Sequence, residues 1–274
     1  MINKSLISHE FSPLAASQRG PFFTEHDLHD LDPLLLPNHI AIIPDGNRRW
    51  AGEHNVPFVN GYLEGAQTLI KTALAAKELG VKTLTIFSFS TENWKRPEEE
   101  RSTLFRLVDI HLKFYTKALV ESNIRLHIIG NIKKLPKFLQ ETIHKVSRKT
   151  AKGTDLDLLL AINYGGRDEL VRAFQKLIFL YGADPHNISE EAISQALDTS
   201  QWPDPDLIIR TSGEQRLSNF LLWQSSYAEV YIDKSYWPAF SPHHFLHALM
   251  SYQNRVRRRG GGHAQTILPQ KIPL

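Results

Sequence analysis

The residues with the most chemical content in this chain stand in PDGNRRW, where Asp45, Gly46, Asn47, Arg48, Arg49 and Trp50 follow the apolar run IAII. A strand that ends in a glycine-containing turn and two arginines suits an anion, because backbone N–H groups and guanidinium forks converge there. An acid inside such a positive site is most simply explained by a divalent ion bridging Asp45 to a phosphate-bearing ligand. The plain alternative is a surface turn at Asp45-Gly46 with two solvated arginines. Read alone, the string favours the plain alternative. Its companions reverse that.

Three more polar strings follow apolar runs: SFSTENWKRP at 88–97, NYGGRDE at 163–169 and RTSGEQRLSN at 210–219. In an open α/β sheet, ligands bind beyond the carboxyl ends of the strands. Gathering Arg49, Arg96, Arg210 and Arg216 at one edge is costly unless polyanions neutralise them, and phosphate oxygens match the arginine fork. Ser90, Ser212 and Ser218 add neutral donors, and the glycines at 46, 165, 166 and 213 admit close backbone approach. Glu229 is the second notable acid. It reads either as a salt-bridge partner of a nearby arginine or, with Asp45, as part of a sparse Mg²⁺ site completed by diphosphate oxygens and water. No His/Cys spacing suits zinc, and Gly165-Gly166 lacks both the dinucleotide fingerprint and the P-loop lysine.

These strings need elements to position them. Strands are expected at His39–Ile43, Thr83–Phe89, Ile124–Ile129, Leu156–Ala161, Asp206–Ile209 and Glu229–Ile232, with interiors as apolar as buried parallel strands require. Helices fit 61–79, stopped by Gly80, and then 98–121, 136–149, 167–181, 189–197 and 241–256. The alternation predicts a single α/β domain with a mainly parallel central sheet flanked by helices. Residues 1–37, broken by Pro13, Pro21, Pro33 and Pro37, read as an irregular extension packed loosely on a body spanning 38–260, with a tail at 261–274. The 98–121 helix gathers Leu104, Leu107, Val108, His111, Tyr115, Ala118 and Leu119 near one face, widened by Ile110, Leu112 and Phe114. That face suits ordinary core packing, or a channel for a long hydrocarbon as well.

Size and charge exclude several classes. A chain of 274 residues buries enough surface to need no metal or disulfide staple, and it has no cysteine. The formal charge of +3 is small for a nucleic-acid binder. The concentrated patch RVRRRGGGH carries Arg255, Arg257, Arg258 and Arg259; it suits a nucleic-acid or membrane tail, a solvated helix end, or arginines lent to a neighbouring subunit. No apolar run reaches membrane-spanning length, and the first residues lack a secretion-signal core, so a cytoplasmic location is expected.

Together HIAIIPDGNRRWA, FSFSTENWKRP, INYGGRDEL and DPDLIIRTSGEQRLSNFLLWQSSYAEVY resemble the signature regions of the cis-prenyltransferases, the undecaprenyl diphosphate synthase family, over about residues 38–260. The resemblance implies one α/β domain, a homodimer, Mg²⁺, and extension of an allylic diphosphate by repeated cis additions of isopentenyl diphosphate. It implies that Asp45 engages Mg²⁺ and the allylic diphosphate, beside Gly46, Asn47, Arg48, Arg49 and Trp50. Ser90, Thr91, Glu92, Trp94 and Arg96 match further contacts, and Asn93 the residue assisting proton removal. Arg210, Arg216, Leu217 and Ser218 match the isopentenyl diphosphate site, and Glu229 its metal ligand. Arg258 and Gly260 fit an Arg-x-Gly element that completes the neighbouring subunit's site. Ser88 is small near the expected channel, consistent with a long product such as undecaprenyl diphosphate; a peripheral membrane contact for release of such a product is a separate expectation. A different product length and a non-catalytic partner subunit are the other readings of the same fold.

The chain departs from the family pattern in DGNRRW for DGNGRW, and in Phe58 and Tyr62 where an arginine and a histidine usually help hold the allylic diphosphate. Gln215 stands at a frequent histidine, and Gly130-Asn131 at the usual Gly-Asp. Phe58 has no hydrogen-bond donor, and a lost charged hydrogen bond of roughly 1.5–3 kcal/mol costs tenfold or more in binding. Arg48 and Tyr62 are therefore expected to supply the missing donors.

Overall fold

Alternation along β1 (His39–Ile43) sends Ile40 and Ile42 to one core and Ala41 and Ile43 to another, so the strand is buried on both faces. That double burial places it mid-sheet. The computed structural model describes residues 21–182, 184, 186 and 188–256, and in it β2 (Thr83–Ser90), β3 (Ile124–Ile129), β4 (Leu156–Tyr164), β5 (Leu207–Arg210) and β6 (Glu229–Ile232) join β1 in the order β3-β4-β2-β1-β5-β6. Each neighbouring pair is parallel. The mainly parallel sheet foreseen is thus wholly parallel among the described residues.

Before the sheet comes the short helix α1 (Glu25–Leu28); after β1 come α2 (Asn47–Glu53) and α3 (Phe58–Glu78). Then follow α4 (Glu98–Glu121), α5 (Lys137–Thr150), α6 (Gly166–Tyr181), α7 (Glu190–Ala196) and α8 (Pro242–Gln253). Ile70 and Ala73 of α3, Leu104 and Leu107 of α4, Leu139 and Ile143 of α5 and Phe245 and Leu249 of α8 share the larger core with Ile40, Leu84 and Leu158. On the opposite face Ala41, Ile43, Leu159 and Ile208 pack with Phe220 and Leu221, while Ala173 and Leu177 of α6 pack with Ile193 of α7.

Two expectations change. The DGNRRW string is not only a turn: Asn47 begins α2, and the sequence reading missed it because two arginines, a glycine and no apolar stripe leave seven residues without periodicity. The described part of the extension is docked rather than loose, since Phe23 is buried and the Phe22 and Phe23 amides donate to the Glu78 carboxylate at 2.9 and 3.2 Å. Arg257, Arg258, Arg259, Gly260 and the expected tail lie outside the described residues, as do residues 1–20.

Candidate active site

The sheet order brings two strings together that are distant in sequence. On one side of β1 lie β2, β4 and β3, built first; the chain then crosses to β1's other side with β5, and ligands bind at the carboxyl end of such a reversal. There Ile43 of β1 lies level with Arg210 of β5. Asp45 is gripped through its backbone: its N–H donates to the Thr211 hydroxyl at 2.8 Å, and its carbonyl accepts from Thr211 Oγ1 at 2.9 Å and the Trp237 N–H at 2.8 Å. Gly46 then turns at φ 97°, where a side chain would also strike the Tyr236 ring, and α2 begins.

Charge is paired throughout this edge. Arg210 is 4% exposed; its Nη2 donates to Asp45 Oδ2 at 2.8 Å and its Nη1 to Ser218 Oγ at 2.8 Å and to the Arg216 carbonyl. Arg49 donates to Asp45 Oδ1 at 3.1 Å, to Ser212 Oγ at 2.7 Å and to Glu214 at 2.9 Å, and Glu214 also receives Arg216. Burial pushes the Asp45 carboxyl up, but hydrogen bonds and charge from Arg210 and then Arg49 outweigh it and hold the pKa below the ordinary value. Arg210 Nε is buried with no hydrogen-bond partner among the described residues, a donor suited to an anion's oxygen.

The second string forms a fixed turn. Ser90 caps a short 3₁₀ helix, Thr91–Lys95, and Asn93 Oδ1 accepts from the Ser90 N–H at 2.9 Å. Arg101 of α4 donates to the carbonyls of Trp94 and Arg96 at 2.9 and 2.8 Å, fastening the turn to that helix. Arg96 Nη1 donates to the Tyr62 hydroxyl at 2.8 Å and to Glu100 at 2.9 Å. Arg48 reaches the same Glu100 carboxylate at 3.2 Å and lies over the Phe58 ring, 5.6 Å from its centre. The departures at 48, 58 and 62 therefore form one contact chain with Arg96 and Glu100.

Below this polar mouth a cavity of about 820 Å³ runs into the protein between α3, α4 and the sheet. Its mouth is lined by Asp45, Gly46, Asn47, Arg48, Arg49, Ser90, Glu92, Asn93, Arg96, Arg210, Arg216 and Ser218. Its shaft is lined by Leu69 and Ile70, by Ser88, by Leu158 and Leu160, and by Leu104, Leu107, His111 and Tyr115 of α4. The α4 face thus serves core and channel together. Burial lowers the His111 pKa to about 4 and pushes the Tyr115 hydroxyl up to about 12.

Several expected site residues lie off the cavity wall. Trp50 stacks on His54 with ring centres 4.1 Å apart, and Trp94 Nε1 donates to Asn163 Oδ1 at 2.6 Å. Thr91 donates to Glu92 at 3.1 Å, and Leu217 packs against the Phe220 core. Glu229 stands apart from this wall. It lies level with Leu207, three residues before Arg210, which is roughly 10 Å down the sheet from the mouth. Its carboxylate accepts from Arg255 at 2.9 Å, the salt bridge to a nearby arginine that the sequence allowed. Sequence reasoning missed Glu100, Asn219 and Thr211; the first stood in an acidic helix start and the others in strings read for their arginines and serines.

Among the described residues no three acids or histidines gather as a metal cluster. The donor set nonetheless fits Mg²⁺ bound sparsely. Asp45 uses three acceptor sites, on Gly46 N–H, Arg49 and Arg210, of about four that a carboxylate offers. One protein carboxylate with substrate oxygens and water is the ligation this ion favours.

A family model described as putative undecaprenyl diphosphate synthase matches residues 43–260. An isoprenyl transferase of Chlamydia caviae is 49% identical over 232 residues, covering 82% of this chain and 93% of that one. That of Staphylococcus haemolyticus is 44% identical over 235 residues, covering 85% and 92%. Among solved structures, lavandulyl diphosphate synthase from Lavandula x intermedia, in complex with dimethylallyl diphosphate, superposes with a TM-score of 0.79 at 35% identity, covering 82% of this chain and 98% of that one. A probable undecaprenyl diphosphate synthase from Campylobacter jejuni gives 0.70 at 34% identity, covering 82% and 99%. With the paired mouth and the buried shaft described above, these likenesses place the chain in the cis-prenyltransferase, or undecaprenyl diphosphate synthase, family.

Proposed function

We propose that this protein adds isopentenyl diphosphate repeatedly, in cis, to an allylic diphosphate such as farnesyl diphosphate, giving a long polyprenyl diphosphate. Family membership carries the general activity, chain elongation on isoprenoid diphosphates. One observation carries the finer reading: the arginine-rich mouth is continuous with an apolar shaft about 820 Å³ in volume overall. Such a site holds charge at one end and accepts hydrocarbon at the other. Undecaprenyl diphosphate, a lipid carrier precursor for cell-wall glycans, is the product we favour.

The Asp45 side, with Asn47, Arg48, Arg49 and Arg96, binds the allylic diphosphate in this reading. Arg210, Arg216 and Ser218 bind isopentenyl diphosphate. Bound Mg²⁺ supplies Lewis acidity toward diphosphate oxygens. Donors around Asp45 stabilise charge as the allylic C–O bond breaks and its electron pair leaves with diphosphate. The isopentenyl double bond supplies the electrons of the new C–C bond. A proton then leaves the adjacent carbon for a diphosphate oxygen, and its bonding pair forms the new double bond. Asn93, fixed on the Ser90 N–H, positions that step rather than serving as a free base.

A homodimer is part of the proposal. Val171, Phe174, Ile178 and Tyr181 form an exposed apolar stripe along α6, at the spacing that one helix face presents to a partner. Among the described residues no helix is long and apolar enough to cross a membrane. A cytoplasmic enzyme that releases its apolar product at a membrane surface is part of the same proposal. Purified protein with farnesyl diphosphate, labelled isopentenyl diphosphate and Mg²⁺ should yield a ladder ending in a long product. No elongation with farnesyl, geranyl or dimethylallyl diphosphate would refute the catalytic reading and leave the non-catalytic partner.

A further inference from the structure

The segment after β5 holds an unusual backbone. Ser212, Ser218, Asn219 and Leu221 all take positive φ, at 68°, 51°, 64° and 44°. Left-handed geometry is unfavourable for residues other than glycine, least so for Asn and Asp, and persists where the surroundings over-determine it. Asn219 meets three such surroundings. Its carbonyl accepts from the Gly166 N–H at 2.7 Å and its Oδ1 from the Arg167 N–H at 2.9 Å, satisfying two orphan donors at the start of α6. Its Nδ2 donates to Glu92 Oε1 at 2.7 Å, across 127 residues of sequence.

Glu92 passes that restraint on. Its other oxygen accepts from the hydroxyls of Ser90 and Thr91, in the turn that carries Asn93 and Arg96. Next to Asn219 in the chain, Ser218 accepts from Arg210, whose guanidinium also holds Asp45. The bare Gly165 makes the junction possible, because a side chain there would press on both Thr91 Oγ1 and Asn219 Nδ2.

We propose that Asn219 is a positioning residue that locks the Ser90–Arg96 turn to the Ser218–Arg210–Asp45 side of the mouth, so that the two diphosphate subsites are held in one relative geometry. The assignment of subsites rests on the function proposed above; the lock itself does not. Asn219 acts through Glu92 on one side and through the α6 start on the other. Its removal therefore loosens the approach of the two substrates rather than the affinity for either alone.

The test uses the full chain and four variants: Asn219→Gly, Asn219→Asp, Glu92→Ala and the double variant Asn219→Gly/Glu92→Ala. Glycine accepts the left-handed backbone, so it removes the side-chain bonds without adding strain. Hydrogen exchange is read first, because it needs no substrate. Asn219→Gly should speed exchange of the 91–96 amides at least tenfold while α4 and the strands stay protected. Faster exchange confined to 166–170 would reduce Asn219 to a helix cap and overturn the proposal. In the elongation assay, Asn219→Gly should lower kcat about tenfold to a hundredfold with KM for isopentenyl diphosphate changed less than threefold. The double variant should be no worse than the poorer single one within about threefold. Multiplying losses, or activity within twofold of wild type, would refute the coupling. If wild type elongates nothing, the proposed function fails while the exchange result still decides the lock. Asn219→Asp guards against misfolding: it keeps the acceptor for Arg167 but replaces the donor to Glu92, so fast exchange should appear in the turn alone.

Discussion

The two ends of the cavity are built on opposite principles. At the mouth, Arg49, Arg210 and Arg216 are matched by Asp45 and Glu214, and Arg48 and Arg96 share Glu100. In the shaft, buried apolar side chains such as Leu104, Leu107 and Leu158 make up most of the wall, and fit is a matter of volume. The mouth is specified by direction, since each guanidinium must meet a particular oxygen. The shaft is specified by space. A substitution at the mouth should therefore change rate and affinity, and one in the shaft should change which product accumulates.

The harshest test of that division is Asp45→Asn. It should lower kcat by about 10²–10³, in the range for losing one preorganised electrostatic group, without shortening whatever product still forms. Product analysis beside kcat checks this; a shorter ladder would blur the two ends. Ser88→Phe attacks the other end. The Ser88 hydroxyl is buried on the cavity wall with no hydrogen-bond partner among the described residues, so the new ring would project into the shaft. We expect the longest product to fall at least tenfold relative to short ones, while the first condensation stays within about threefold. An unchanged ladder would show that length is set elsewhere.

Arg48→Gly sharpens the comparison inside the mouth. Loss of Arg48 leaves Glu100 paired with Arg96 alone, so allylic diphosphate affinity should weaken about tenfold, as for one charged hydrogen bond. Calorimetric titration with an unreactive allylic analogue checks it; unchanged affinity would refute compensation by Arg48. The smallest effect concerns His111 in the shaft. Burial lowers its pKa from 6.5 to about 4, so between those values the unfolded chain binds a proton that the native chain does not. Its contribution is present above pH 6.5 and lost as pH falls through about 4. Near pH 6 to 5 that is about 1 kcal/mol per pH unit, and His111→Leu should flatten the slope of unfolding free energy by this amount. His39, lowered to about 4 by burial, leaves a similar slope behind as an internal control.

How far the sequence announced this arrangement follows the same division. Mouth residues were legible because their types carry chemistry wherever they stand: Asp45, Arg49, Arg210 and Ser218 could be grouped before any coordinate. Glu229 was read at the start of its strand, but its height relative to Asp45 was not legible, because residue type does not fix it; the register with Leu207 does. The strands of the sheet were legible from their apolar runs, but α2 was not, since seven residues without a stripe show no period. The shaft was half legible. The α4 face read first as core and only second as channel, because periodicity reports burial and not whether space remains beside it. Asn219 was passed over since its work lies in left-handed geometry and a contact 127 residues away.

The central position of β1 governs when this site comes into being during synthesis and folding. Asp45 meets Arg210 across 165 residues, and β1 pairs on that side with a strand that emerges only in the last quarter of the chain. The entropy of closing so long a loop must be met before that pairing is rewarded, so parallel contacts of this range form late. A nascent chain that ends before β5 can pack β1 to β4, yet it leaves one edge of β1, including Ile43, unpaired. Such an edge templates wrong pairings. For this fold the strand that completes the mouth is also the strand that removes the hazard, so competence to bind and release from aggregation risk arrive in a single late step.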